Sequence, residues 1–247
     1  MAHRLIKASG LAFALLGPAN GWAEGLLHVS PRPGSEAAGL SVSHPALPGN
    51  IFDLRTCEAV LDGNRDFGLF LVKLAPPNAS TSPAWSTNSG SCRYAWTYPA
   101  GITVRFEAVP RAESLELTYT VVNQTPGPLK QVHVHTCVTT TEAPAFFPRL
   151  ATGRESQLPP DTRDRDYTEL LTRLFVWSGG QPLRLDRTEH ARGQVHLSLL
   201  PNGGTPIEWA WWVNSTKTFD EPLIAVASHD GQWTAGLWFE RAAWASS

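Results

Sequence analysis

Ser114-Leu115-Glu116-Leu117-Thr118-Tyr119-Thr120-Val121-Val122 is the stretch on which the fold class turns. Leu115, Leu117, Tyr119 and Val121 alternate with Glu116, Thr118 and Thr120, the period of two expected of a strand with one side in a core. Working outward, Arg93–Tyr98, Ile102–Ala108 and Gln131–Thr139 have similar strand composition. Pro99-Ala100-Gly101, Pro110-Arg111-Ala112 and Thr125-Pro126-Gly127-Pro128 separate them as turns. These segments make an antiparallel meander. Strand patterns return at Leu174–Ser178, Gln194–Leu199, Glu208–Val213, Pro222–Ala227 and Gln232–Phe239, the last two joined by a hairpin at Asp230-Gly231.

The N-terminal side reads differently. Phe67–Leu74 is a strand candidate and Ala75–Ser91 a polar surface loop, whereas Pro31, Pro33, Pro45 and Pro48 keep the first stretch irregular. Short extended pieces are expected there only at Leu26–Val29 and Leu40–Ser43. A long irregular loop is expected around residues 140–166, with room for a short helix at Tyr167–Leu174. About ten strands in this order predict an all-β, antiparallel two-sheet β-sandwich.

Composition agrees: 20 Gly, 20 Pro and 10 Trp accompany a single Met, and 42% hydrophobic with 17% charged residues supports a folded core. Residues 1–23 read as a signal peptide. Arg4 and Lys7 precede an apolar run from Gly10 to Leu16, then Gly17-Pro18 and a small-residue pattern ending at Ala23, with Ala19 as the other cleavage position. A secreted or periplasmic chain of 247 − 23 = 224 residues follows, a single β-sandwich domain over 24–247. Its end just after a strand, at Ala245-Ser246-Ser247, leaves a C-terminally truncated domain as an expectation. Losing two cations takes the formal charge from −2 to −4, so no basic field attracts nucleic acid. No apolar run is long enough for membrane insertion. In an oxidising compartment Cys57 and Cys92 are the expected disulfide, with Cys137 a buried thiol in an apolar strand.

The chemistry gathers on few residues. His133, His135 and Cys137 share one side of their strand, so two imidazoles lie together, suited to proton transfer or, with a further ligand, to one divalent transition metal. Glu142, Glu189, His190 and His196 are the candidate further partners. Arg149 suits a uronate carboxylate. Trp209 and Trp211 share a strand face and Trp212 takes the other; with Trp85, Trp96, Trp233, Trp238 and Trp244 they divide between core packing and a saccharide groove. Asn78, Asn123 and Asn214 open N-glycosylation patterns, and His229 reads as a hairpin-tip residue. No nucleophile elbow, phosphate loop, dinucleotide fingerprint or His-Glu-x-x-His motif is present.

Ser114 to Thr125, followed by Pro128-Leu129, resembles a strand and turn recurrent in galactose mutarotase-like domains. Pro222 to Trp233 resembles a hairpin of uncharacterised secreted bacterial proteins of similar shape. The resemblance spans about residues 100–240 and implies a sandwich with a concave sheet face suited to carbohydrate. Mutarotases use two histidines and a glutamate for proton transfer at the sugar; His133 and His135 are spaced differently from that pair. The combined expectation is an exported protein that binds carbohydrate or performs mutarotase-, lyase- or epimerase-like acid/base chemistry, without a cofactor. Catalysis would fall to His133, His135 and Arg149, and substrate binding to Trp209, Trp211, Glu142 and His190. The alternatives are a metal-binding protein using His133 and His135, and a structural or adhesive module whose Trp residues are all core.

Overall fold

The computed structural model describes residues 4–17, 26–32, 38–62, 83–98, 101–111, 114–129, 132–146, 174–185, 189–193, 213–239 and 244–246. At 4–11, 57–62, 189–193, 213–218, 244–246 and at Tyr98, His133, His135 and Thr141 the description covers the backbone. Among the described residues every regular element is a strand. The chain divides into two compact units, residues 1–13 with 24–142, and residues 14–23 with 143–247.

The first unit is a β-sandwich. The meander expected from sequence is β5 (Ser86–Asn88), β6 (Ser91–Tyr98), β7 (Ile102–Pro110) and β8 (Ser114–Asn123). It lies beside β1 (Arg4–Leu16) in the order β1-β8-β7-β6-β5. The opposing sheet runs β2 (His28–Arg32), β3 (Ala38–Ser43), β4 (Ile51–Asp62) and β9 (Val132–Glu142), all pairs antiparallel. Alternation along β8 holds: Leu115, Leu117, Tyr119 and Val121 are buried, whereas Glu116, Thr118 and Thr120 are half-buried.

Register builds the core. Tyr94 stands opposite Phe106 and Phe106 opposite Tyr119, so three rings from adjacent strands lie in one row on the inward face. Their centroids are 5.2 and 4.9 Å apart, and Trp85 meets Tyr94 edge-on at 4.9 Å. From the other sheet Leu40, Val42, Phe52, Leu54 and Thr56 are buried, Phe52 lying 5.3 Å from the ring of Phe13 on β1. Both tyrosine hydroxyls in the row find partners across the sandwich. Tyr119 Oη is 2.8 Å from Thr136 Oγ1 on β9, and Tyr94 Oη is 3.2 Å from Thr56 Oγ1 on β4.

Several expectations are corrected. The extended piece expected at Leu40–Ser43 is β3, but residues 51–62, expected to be irregular, form β4 of the same sheet, with Phe52, Leu54 and Thr56 alternating with Asp53 and Arg55. Pro31 fits edge strand β2, where one side of the backbone needs no ladder partner. Pro45 and Pro48 lie in the turn His44–Asn50, closed by Leu47 N donating to His44 O. The expected loop up to Ser91 contains β5, joined to β6 through Ser89 and Gly90 at φ 48° and 80°, the two positive values of a type I′ turn. Strand β9 runs to Glu142, three residues past its expected end, followed by a turn at Ala143–Phe146. The rest of the expected irregular loop, the helix option short of Leu174, and the strands expected at 67–74, 194–199 and most of 208–213 fall outside the described residues.

The second unit carries β10 (Leu174–Ser178), β11 (Gln181–Leu185), β14 (Glu221–Ala227) and β15 (Thr234–Phe239) in the antiparallel order β11-β10-β14-β15. A three-stranded sheet has the order β13-β12-β16, from β12 (Glu189–Gly193), β13 (Val213–Phe219) and β16 (Trp244–Ser246). Its β12–β13 pair is parallel, a departure from the antiparallel pattern. Val176, Leu185 and Phe219 form a buried cluster, with Leu174, Leu183 and Ile224 packed on it. The β14–β15 hairpin forms as expected, with Gly231 at φ 71°, but through the six residues Ser228–Trp233. Asp230 shapes that loop by accepting from Ser228 Oγ and Gln232 N.

The inter-sheet hydrogen bonds give a direct stability test. Thr136→Val leaves the buried Tyr119 hydroxyl without its partner, which costs about 1–3 kcal/mol. Adding Tyr119→Phe removes the orphan as well, so the double variant should recover most of that loss in urea unfolding.

Candidate functional site

Because the inward faces are taken by the cores, ligand chemistry falls to the outward faces, and each unit presents one. In the first unit, register places Ser30, Ser41, Asp53 and Thr139 in one row across β2, β3, β4 and β9. Arg32, Gly39, Arg55 and Cys137 form the next row. Asp53 Oδ2 is 3.7 Å from Arg55 Nε, and the side chain is 10% exposed. Its Oδ1 is buried with no hydrogen-bond partner among the described residues. An unpaired buried acceptor costs about 1–3 kcal/mol, which marks a position where a donor has value. Nearby, the Arg32 guanidinium is held as a fork by Glu142, Nη1 donating to Oε2 at 3.1 Å and Nη2 to Oε1. This hydrogen bond, opposed by desolvation and helped by the charges of Asp53 and Glu142, raises the Arg32 pKa above its ordinary value.

In the second unit, Leu174 and Val176 turn inward, so the intervening Phe175 turns outward. Register sets Arg184, Phe175, Ala225 and Gly236 in one row, with Leu223 and Trp238 paired beside it. Leu237 and Ala235 are buried on the inward side, whereas Trp238 is 43% exposed, the one large aromatic so exposed among the described residues. Ala225 is buried, and Leu223 Cδ1 lies 3.5 Å from where a Gly236 Cβ would stand, so the surface next to the indole is apolar and covered by Leu223. Trp85 and Trp96, by contrast, lie on the inward side of their sheet, Trp85 against Tyr94 and Phe106 and Trp96 opposite the buried Val104. Trp233 packs on Gly17, where an added Cβ would meet its ring at 3.1 Å.

The residues singled out from sequence are distributed more widely than expected. His133 and His135 lie on β9 opposite Leu61 and Ala59, and Glu142 ends the same strand. Seven residues of extended chain, about 23 Å, separate His135 from Glu142, so the strand itself keeps that pair from one ion or one substrate atom. Glu142 instead serves Arg32. His190 is on β12 opposite Ser246, with Glu189 beside it. Arg149, His196, Trp209, Trp211 and Trp212 fall outside the described residues. Among the described residues no group of three or more His, Cys, Asp or Glu gathers for a metal. His229 sits in the hairpin loop, its backbone N donating to Ala145 O. The Asn123 glycosylation pattern is committed to structure: Oδ1 accepts from Thr125 N and Oγ1, and Nδ2 donates to Gly127 O.

The expected Cys57–Cys92 disulfide is absent, and Cys92 is a free thiol, 1% exposed. Its Sγ faces Val29 O at 3.8 Å. Val29 is two strands from β4 and level with Phe52, five residues before Cys57. That offset, about 10 Å across and 16 Å along the sheet, exceeds the roughly 7 Å Cα separation a disulfide tolerates. Cys137, expected to be buried, is half-buried. Asp53, Arg32 and Arg55 were missed because they sit in a stretch read as irregular; the alternation Phe52-Asp53-Leu54-Arg55-Thr56 was the available signal.

Compared with known proteins, the chain matches no family model, no curated protein and no solved structure. Its function has to be argued from its own residues.

Burial pushes the Cys92 thiol pKa up, so its thiolate is disfavoured in the folded chain. With Cys57→Ser and Cys137→Ser in place, a thiol reagent at pH 8 should label Cys92 only on unfolding. Because the unfolded chain releases this proton first, the contribution to stability should fall as pH rises past about 8.5. Rapid native labelling would contradict the buried placement.

Proposed function

We propose that this protein binds carbohydrate on the outward face of the β11-β10-β14-β15 sheet, with Trp238 as the stacking platform. The observation that carries the reading is the exposed indole of Trp238 paired with Leu223. A pyranose presents an apolar C–H side that packs on a flat ring, and its hydroxyls need donors and acceptors at the rim. Arg184, at the end of the Phe175 row, supplies donors there. In the same reading the protein is exported on the leader pattern of Arg4, Lys7 and Gly10 to Leu16, and cleavage would take β1, with its buried Phe13, out of the sheet it joins in the full chain.

Binding to neutral and acidic oligosaccharides, measured by titration calorimetry on the full chain, tests the proposal. Trp238→Ala should weaken the best ligand at least tenfold, about 1.4 kcal/mol, while the melting temperature in the absence of ligand stays close to that of the parent. Unchanged affinity, or no saccharide bound by the parent, would contradict it. N-terminal sequencing of exported material tests the leader separately, with Glu24 or Asn20 expected as the first residue and Met1 contradicting it.

A further inference from the structure

The first unit's outward face carries chemistry that stacking on Trp238 does not use. We infer that the row containing Asp53, together with the Arg32–Glu142 fork, is a binding site for a small hydroxycarboxylate. A ligand carboxylate takes the place of Glu142 on Arg32, and a neighbouring ligand hydroxyl donates to Asp53 Oδ1.

Three observations converge on this. Asp53 is nine-tenths buried, with an acceptor oxygen that no group among the described residues satisfies. Its backbone neighbours Phe52 and Leu54 are core residues, so by alternation its carboxylate belongs to the outward face, where Ser30, Ser41 and Thr139 share its row. Second, Arg32 is already bound in the bidentate geometry it would use for a ligand carboxylate, and Glu142 acts as the stand-in. The side chains of this pair are 27% and 48% exposed. A partly solvated ion pair is weakly held, so a ligand carboxylate can compete with Glu142 for Arg32 when a ligand hydroxyl adds a bond to Asp53. Third, Arg32 is the cation of this face whose partner is a partly exposed carboxylate, so a ligand carboxylate that displaces Glu142 keeps the guanidinium paired.

Asp53 Oδ1 is covered, so a side chain must move before a ligand reaches it. The Arg32–Glu142 fork is partly in solvent and joins residues 110 positions apart in the chain, and in this inference it is the group that gives way. Gly39, in the row between Arg32 and Arg55, puts no side chain in the way.

The test uses the full chain with D-glucuronate as probe, and D-glucose and acetate as controls that lack the carboxylate and the hydroxyls respectively. Glucuronate should bind at least tenfold more tightly than either control. Glu142→Gln, which weakens the internal competitor at a surface position, should tighten glucuronate severalfold. Asp53→Asn should bring glucuronate down to the level of acetate. Trp238→Ala should leave glucuronate binding unchanged, which separates this site from the aromatic face. The inference is overturned if glucuronate binds no better than the controls, if Glu142→Gln leaves its affinity unchanged or lowers it, or if Trp238→Ala abolishes it. Should Asp53→Asn prevent folding, the Glu142→Gln result alone decides.

Discussion

The sandwich of the first unit depends on two tyrosine–threonine hydrogen bonds that cross it. A purely apolar interface between sheets permits sliding, because dispersion contacts are non-directional and many registers bury similar area. Tyr94 to Thr56 and Tyr119 to Thr136 remove that freedom, since a shift would strand buried hydroxyls at about 1–3 kcal/mol each. The two tyrosines flank Phe106 in one row, so the directional bonds and the largest block of aromatic surface act at the same place.

Fixing the inward faces also fixes the outward ones. In a strand, neighbours point to opposite sides, so placing Phe52 and Leu54 in the core obliges Asp53 and Arg55 to face outward. The same rule in the second unit turns Trp238 outward because Leu237 is buried. One unit thus presents a charged outward face with an acceptor unsatisfied among the described residues, and the other an aromatic one. Hydrogen-bond supply governs the first and apolar stacking the second, and the two call for different ligand chemistries.

How much was legible in the sequence varied with the strength of alternation. β8 was plain because four apolar residues alternate with three polar ones without interruption, and β6, β7, β10, β14 and β15 followed from similar runs between Gly and Pro turns. β4 was missed although Phe52, Leu54 and Thr56 alternate correctly, because prolines just upstream drew the whole region toward irregular structure. Pro31 sits on an edge strand and Pro45 and Pro48 in a turn, where a lost N–H does no harm. The site was less legible than the fold. Trp238 was one of many tryptophans, and composition does not separate a core indole such as Trp85 from an exposed one. The disulfide expectation failed for a related reason: pairing depends on positions across a sheet, and spacing along the chain carries little of that. Asp53 illustrates the general limit, since an unsatisfied acceptor is defined by what surrounds it.

Carbohydrate binding at the aromatic face is the central claim, and the indole N–H resonances of the ten tryptophans offer the most direct view of it. They would be followed by two-dimensional NMR during titration with a neutral oligosaccharide, with Trp238 assigned by its Phe variant. The account requires the Trp238 resonance to move in a saturable way while that of core Trp85 stays in place. A titration that leaves Trp238 unmoved, or that shifts other indoles instead, would contradict it.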